Sequence, residues 1–207
     1  MQSPHNPFFR ALRDAFTEEN VSKADLRMTA FIHYIDVSDP VGTAQKIEEI
    51  ADTYDGLIIT CSNDPRLSDA LRLHSAKLPI VTLVTDLPNC GRLAYVGADN
   101  RQMGRVVGEL MGRFLGNEGG ELLIVLGMQR MVGHEEREMG FRTVLRERFP
   151  QCCILATLES GEDPATAGEV VARALIDAPQ VRGIYNASAG NMAIARSIQA
   201  MGLDQHI

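Results

Sequence analysis

Leu78-Pro79-Ile80-Val81-Thr82-Leu83-Val84-Thr85-Asp86 is a short apolar run rich in β-branched residues, followed by Leu87-Pro88. Its length and composition mark a buried strand rather than a helix. A second strand-like run, Ala94-Tyr95-Val96-Gly97, follows almost at once. Asn100 then opens a long helical pattern carrying Met103, Val106, Val107, Leu110 and Phe114. Elsewhere strand and helix patterns alternate. Two strands in succession break that alternation near the middle of the chain, where a crossover between two lobes belongs.

Working toward the N-terminus, Asp64-Pro65 opens a helix with Leu67, Ala70, Leu71 and His74 inward, and Gly56–Thr60 reads as a buried strand. Asp39-Pro40 opens another helix with Val41, Ala44, Ile47 and Ile50 inward, and Met28–Tyr34 reads as a strand. Asn6-Pro7 caps a first helix whose inward face is Phe9, Leu12, Ala15 and Phe16. Toward the C-terminus, Gly116–Gly120 breaks the long helix. Strands at Glu121–Leu126, Cys152–Leu158 and Val181–Tyr185 then alternate with helices near Glu135–Phe149, Pro164–Asp177 and Asn191–Met201. Asn-Pro or Asp-Pro stands at 6, 39, 64 and 163, a cap followed by a proline at the first helical position.

Strand–helix alternation implies right-handed βαβ units and a parallel sheet covered on both faces. The expected fold class is α/β: two doubly wound, Rossmann-like lobes with mainly parallel sheets, residues 1–98 and 99–207. The first element is a helix, and Leu203–Ile207 resembles the approach to another strand. The expectation is therefore a fold truncated at both ends, lacking a first strand and whatever follows Ile207.

The chain has 207 residues, with 20 Lys and Arg against 27 Asp and Glu, a net charge of −7. That balance offers nucleic acid no basic face. Apolar residues make up 45% and charged residues 23%, the proportions of an ordinary globular domain. Apolar stretches such as Leu122–Leu126 fall far short of the about 20 residues of a membrane span. The opening Met1-Gln2-Ser3-Pro4-His5 does not read as a secretory signal. Cys61, Cys90, Cys152 and Cys153 have no C-x-x-C spacing, and the adjacent pair would point to opposite faces of a strand. Free thiols of this kind suit a reducing compartment, so the expected location is cytoplasmic.

Ligands of open parallel sheets bind outside the carboxyl ends of strands. The residues there are Asn6 and Phe8, Cys61-Ser62-Asn63, Thr85-Asp86, His134 to Arg137, and Asn186, Ser188 and Asn191. Aromatic faces, amides, a carboxylate and a guanidinium are the equipment for a neutral polyol. Asn6 also reads as a plain helix cap, Phe8 as core and Asp86 as the start of a turn. His134-Glu135-Glu136-Arg137-Glu138 begins like a zinc-protease helix, but Glu138 stands where the second His is required, so no metal is expected. Asn186-Ala187-Ser188-Ala189-Gly190 resembles a nucleophile elbow without its first glycine, and only Asp204 and His206 follow as partners. There is no phosphate-binding G-x-x-x-x-G-K-[ST] loop. No catalytic residue and no cofactor are expected, and the protein reads as a binding module rather than an enzyme.

In this order and spacing the chain resembles the effector-binding core of LacI/GalR-family transcriptional repressors, whose fold relatives are periplasmic sugar-binding proteins of the type I class. The residues that carry the likeness are Ser3–Phe9, Asp55–Ile59, Leu78–Asp86, Tyr95–Asn100, Gly133–Phe141 and Val181–Asn186. The resemblance implies a two-lobed clamp with a sugar-like effector in its cleft. It maps the effector contacts onto Asn6 and Phe8, Asp86, Arg137 of R-x-x-G-F, and Asn186 or Ser188, with Asn191 beside them. The loop Asn186–Asn191 departs by about one residue from the commoner N-D-x-M-A pattern, and Leu87 stands where ribose binders carry an Arg. The resemblance further implies a homodimeric repressor that meets operator DNA through a headpiece absent from this chain, with no membrane partner. The Asn-rich loop and the Arg-rich helix Arg142–Arg148 look more like the regulators. The alternative is a periplasmic sugar-binding receptor of an ABC transporter.

Overall fold

A computed structural model describes residues 6–22 and 28–207. The chain divides into two compact units, Met1–Gly97 and Ala98–Ile207.

The first unit contains α1 (Pro7–Ser22), α2 (Pro40–Ala51), β1 (Leu57–Ile59), α3 (Pro65–His74), β2 (Ile80–Leu83) and β3 (Ala94–Val96). The strands pair in parallel in the order β1-β2-β3, with Ile58 opposite Val81 and Val81 opposite Ala94. The early helices start where the proline dipeptides place them. Asn6 Oδ1 accepts from the Phe8 N–H, Asp39 Oδ1 from Gly42 and Asp64 Oδ1 from Arg66, each at 2.9 Å. Each cap satisfies an N–H that the first turn leaves without an internal partner. Ile47, Leu67, Leu71, Ile59, Ile80 and Leu87 form the core, with the thiols of Cys61 and Cys90 inside it.

Some expectations for this unit fail. Met28–Tyr34 is not a strand. A strand needs a neighbour for its ladder, and the backbone of Ala30 is instead satisfied by a side chain: Asn20 Oδ1 accepts from its N–H at 2.8 Å and Asn20 Nδ2 donates to its carbonyl at 3.0 Å. Val41 and Ala15 face outward; Thr43 takes the buried place on α2 and donates its hydroxyl to the Asp36 carbonyl. Ile58 is exposed, so β1 is buried on one face only.

The second unit contains α4 (Asn100–Leu115), β4 (Gly120–Leu126), α5 (Val132–Arg148), β5 (Cys152–Glu159), α6 (Pro164–Asp177), β6 (Val181–Asn186) and α7 (Asn191–Ala200). The order is β5-β4-β6, all parallel. Central β4 is buried on both faces. Leu122, Ile124 and Leu126 pack with Phe141, Leu145 and Tyr185, while Leu123 and Val125 pack with Val171, Leu175 and Ile194. This is a doubly wound sheet, and it explains why Leu122–Leu126 reads as a continuous apolar run rather than an alternating one.

On α4 the large residues Met103, Val106, Leu110 and Phe114 are exposed, and the buried line is Asn100, Gly104, Gly108 and Gly112. The glycines let α5 approach closely. A Cβ at Gly104 would run into the Arg137 carbonyl, and one at Gly108 would touch the Phe141 carbonyl at 3.0 Å. No helix of the described residues is long and apolar enough to cross a membrane.

Candidate functional site

In the second unit the carboxyl ends of β4, β5 and β6 release three loops toward the N-terminal turns of α5, α6 and α7. Arg137 lies in the second turn of α5, half-buried. Its Nε donates to Asn100 Oδ1 at 2.8 Å and its Nη1 to the Ala187 carbonyl at 2.8 Å. One side chain thus joins α5, the start of α4 and the loop after β6. Asn186 organises that loop. Its Nδ2 donates to Asn191 Oδ1 at 2.6 Å and to the carbonyls of Ala189 and Ser188 at 3.1 and 3.2 Å. Its Oδ1 accepts from the Ser188 N–H at 3.2 Å. Four of the sequence-derived residues, Arg137, Asn186, Ser188 and Asn191, are therefore gathered at one end of one sheet.

Behind them lies a group that the sequence does not assemble. Ser188 Oγ donates to Glu162 Oε2 at 3.2 Å, and Glu162 Oε1 faces His134 Nδ1 at 3.4 Å. The same Nδ1 stands 3.2 Å from the Met128 carbonyl oxygen. Burial lowers the His134 pKa below its ordinary value; Glu162 and the Met128 carbonyl oppose this, and Arg137 adds to it. The imidazole is therefore held toward its neutral form. Serine activation needs an imidazole against the hydroxyl, but here the carboxylate stands between serine and histidine. Burial also raises the Tyr185 phenol, whose ring packs on Phe141 at 4.7 Å.

In the first unit, Asn6 and Phe8 stand at the start of α1. Asn6 is buried and its side chain is the helix cap. Phe8 is 53% exposed, with its ring edge-on to Phe9 at 5.2 Å, and so is not core. Asp86 follows β2 and is half-buried. Its Oδ1 accepts from the Thr82 hydroxyl at 2.8 Å and the Leu87 N–H at 2.9 Å, and its Oδ2 from Arg92 Nη2 at 2.6 Å. Arg92 thus pairs with the Asp86 carboxylate, while Leu87 is buried in the core. Among the described residues, no cluster of three or more His, Cys, Asp or Glu is placed to hold a metal ion.

The chain belongs to the periplasmic binding protein domain family, whose model matches residues 1–207. A search of curated proteins finds no match. Solved structures are similar along most of the chain. XylFII is 20% identical, with 99% of this chain and 75% of that one covered and a TM-score of 0.88. An ABC transporter solute-binding protein from Burkholderia graminis, in complex with D-arabinose, is 26% identical, covering 81% and 58%, with a TM-score of 0.75. GanP, a glucose-galactose binding protein from Geobacillus stearothermophilus, is 22% identical, covering 93% and 70%, with a TM-score of 0.80.

Proposed function

We propose that the protein is the sugar-binding domain of a solute receptor of the kind that serves ABC transporters, and that it binds its ligand without chemistry and without a cofactor. The observation that carries this reading is the setting of Arg137. A guanidinium fixed by Asn100 and the Ala187 carbonyl presents its remaining N–H donors beside the amides and hydroxyl of Asn186, Ser188 and Asn191. Such a group makes bidentate hydrogen bonds to vicinal hydroxyls. Asn6, Phe8 and Asp86 are the contacts proposed from the first unit, Phe8 offering an aromatic face for sugar C–H groups. The similar structures include complexes with D-arabinose and with D-allose and a fructose-binding domain, which supports a monosaccharide as the ligand class. Calorimetric titration with D-arabinose, D-allose, D-galactose and D-fructose tests the reading. Saturable binding of one of them is expected, and no binding of any overturns it.

A second reading is the effector core of a cytoplasmic, homodimeric LacI-family repressor. Its support is the state of the cysteines: Cys61, Cys90, Cys152 and Cys153 are all free thiols, as a reducing compartment would leave them. In that protein the sugar would shift a conformational equilibrium and change operator affinity, with a coupling of about 1–3 kcal/mol. The discriminating observation is the gene sequence before Met1. A helix-turn-helix there supports the repressor, and an export signal supports the receptor.

A further inference from the structure

Glu162 adopts φ of +64° in the loop after β5, a left-handed conformation that a non-glycine residue holds only under constraint. Its carboxylate is turned inward, and the side chain is 15% exposed. Oε2 takes the hydrogen of the Ser188 hydroxyl, while Oε1 is buried and makes no hydrogen bond. The nearby imidazole does not supply one, because His134 Nδ1 is engaged with Met128. Gly127, at the end of β4, leaves the space for this pair. A Cβ there would collide with the Glu162 carboxylate and lie 2.7 Å from Ser188 Oγ.

A hydroxyl has one hydrogen to give and two lone pairs to offer. Ser188 commits its hydrogen to Glu162, so only acceptor capacity is left. The carboxylate behind it adds negative potential at the same point. A group docking on Ser188 must therefore be a donor, and an acceptor-only anion such as a phosphate is repelled. We propose that Glu162 fixes Ser188 as a hydrogen-bond acceptor toward the ligand, so that the position at Ser188 takes a hydroxyl of an uncharged polyol and refuses an ester phosphate there. The proposal rests on the sugar-binding reading above. Glu162 is a positioning residue, acting through Ser188.

The experiment is calorimetry with D-arabinose and D-arabinose 5-phosphate, and with D-allose and D-allose 6-phosphate, on the parent, Glu162→Gln, Ser188→Ala and the double variant. The parent should favour the neutral sugar by about tenfold or more. Glu162→Gln should weaken neutral-sugar binding about fivefold and narrow the preference over the ester, which loss of packing alone would not do. The double variant should lose no more than Ser188→Ala alone, because the two residues act as one unit. Equal binding of sugar and ester by the parent, or additive losses, overturns the proposal. A parent that binds none of D-arabinose, D-allose, D-galactose and D-fructose instead overturns the sugar-binding reading; where only one of the last two binds, the same comparison is made with it and its 6-phosphate. The Glu162–Ser188 bond is then read separately from the Glu162 carboxyl 13C signal, which should move in ligand-free Ser188→Ala; an unmoved signal refutes the bond.

Discussion

Arg137 of α5 and Asn100 of α4 are joined by a 2.8 Å hydrogen bond from the guanidinium Nε to the amide Oδ1. Asn100 is 2% exposed, and it opens the helix whose glycine face lets the Arg137 backbone come close. Backbone contact and side-chain bond therefore act between the same two helices. The second bond, to the Ala187 carbonyl, carries the constraint to the loop after β6. A guanidinium held this way has lost most of its rotamer freedom before any ligand arrives, and that lowers the entropic cost of binding.

Removing either partner breaks the same bond and so costs stability, but the loss of binding should be much larger for Arg137. Arg137→Ala should cost ~2–5 kcal/mol of sugar binding, since it leaves the ligand's polar groups without their charged partner. Asn100→Ala should cost ~1–3 kcal/mol of folding stability, because a buried bond is left unmade, with a smaller loss of affinity. Calorimetry and denaturant unfolding measure the two. If Arg137→Ala binds within about twofold of the parent, Arg137 does not belong to the site.

Gly104→Ala should destabilise the second unit by ~1–3 kcal/mol. The added methyl meets the Arg137 carbonyl, which is backbone and has no rotamer to escape through. The unfolding midpoint should fall by several degrees, and the Arg137 guanidinium should shift against Asn100. An unchanged midpoint would mean that α5 moves away freely.

The signals that could be read from sequence were local. An Asp or Asn before a proline specifies a helix start through its own side chain, and the structure places α1, α2, α3 and α6 one residue after Asn6, Asp39, Asp64 and Asp163. The Leu122–Leu126 run identifies a central strand because both faces of β4 are covered. Met28–Tyr34 misleads because strand propensity says nothing about whether a neighbour exists to pair with. The α4 face misleads because periodicity weights large apolar side chains, whereas close helix packing uses small ones. Arg137 and Asn186 announce themselves by standing just after a strand or in a family pattern. Asn100, Arg92 and Glu162 do not. Asn100 meets Arg137 at a sequence distance of 37 residues, and Glu162 meets Ser188 at 26.

Arg92→Ala should lower sugar affinity several-fold while changing stability by less than ~1 kcal/mol. The Asp86–Arg92 pair is half-buried and solvent-screened, so its worth lies in orienting the carboxylate rather than in holding the fold. Paired calorimetry and thermal unfolding check this. A stability loss with full affinity would assign Arg92 a purely structural role.

The four thiols should react in two classes. Cys153 is exposed and should modify promptly with a water-soluble disulfide reagent near pH 8. Cys61 is buried, and burial together with neighbouring Cys90 pushes its pKa up to about 12, so almost no thiolate forms there. Cys90 and Cys152 are also buried. One thiol per chain should titrate under native conditions and four in denaturant. Fast release from a second cysteine in the native protein would contradict the closed core.

Stability of the second unit should fall on acidification through His134. Burial lowers its folded pKa beneath the ordinary histidine value of about 6.5. Below that value the unfolded chain takes up a proton that the folded chain refuses, so acid favours unfolding. The contribution is whole above about pH 6.5 and is lost progressively as the pH drops toward the depressed folded value. One proton limits the slope to ~1.4 kcal/mol per pH unit. Burial sets the sign: Glu162 and the Met128 carbonyl resist the lowering without overcoming it, and Arg137 adds to it. His134→Gln keeps a polar side chain but carries no titrating proton. Its unfolding free energy between pH 7 and 5 should be flatter than the parent's by that slope, whatever its absolute stability. Equal slopes in parent and variant would show that His134 titrates in the folded protein as it does in the unfolded chain, and that the Glu162 carboxylate compensates its burial in full.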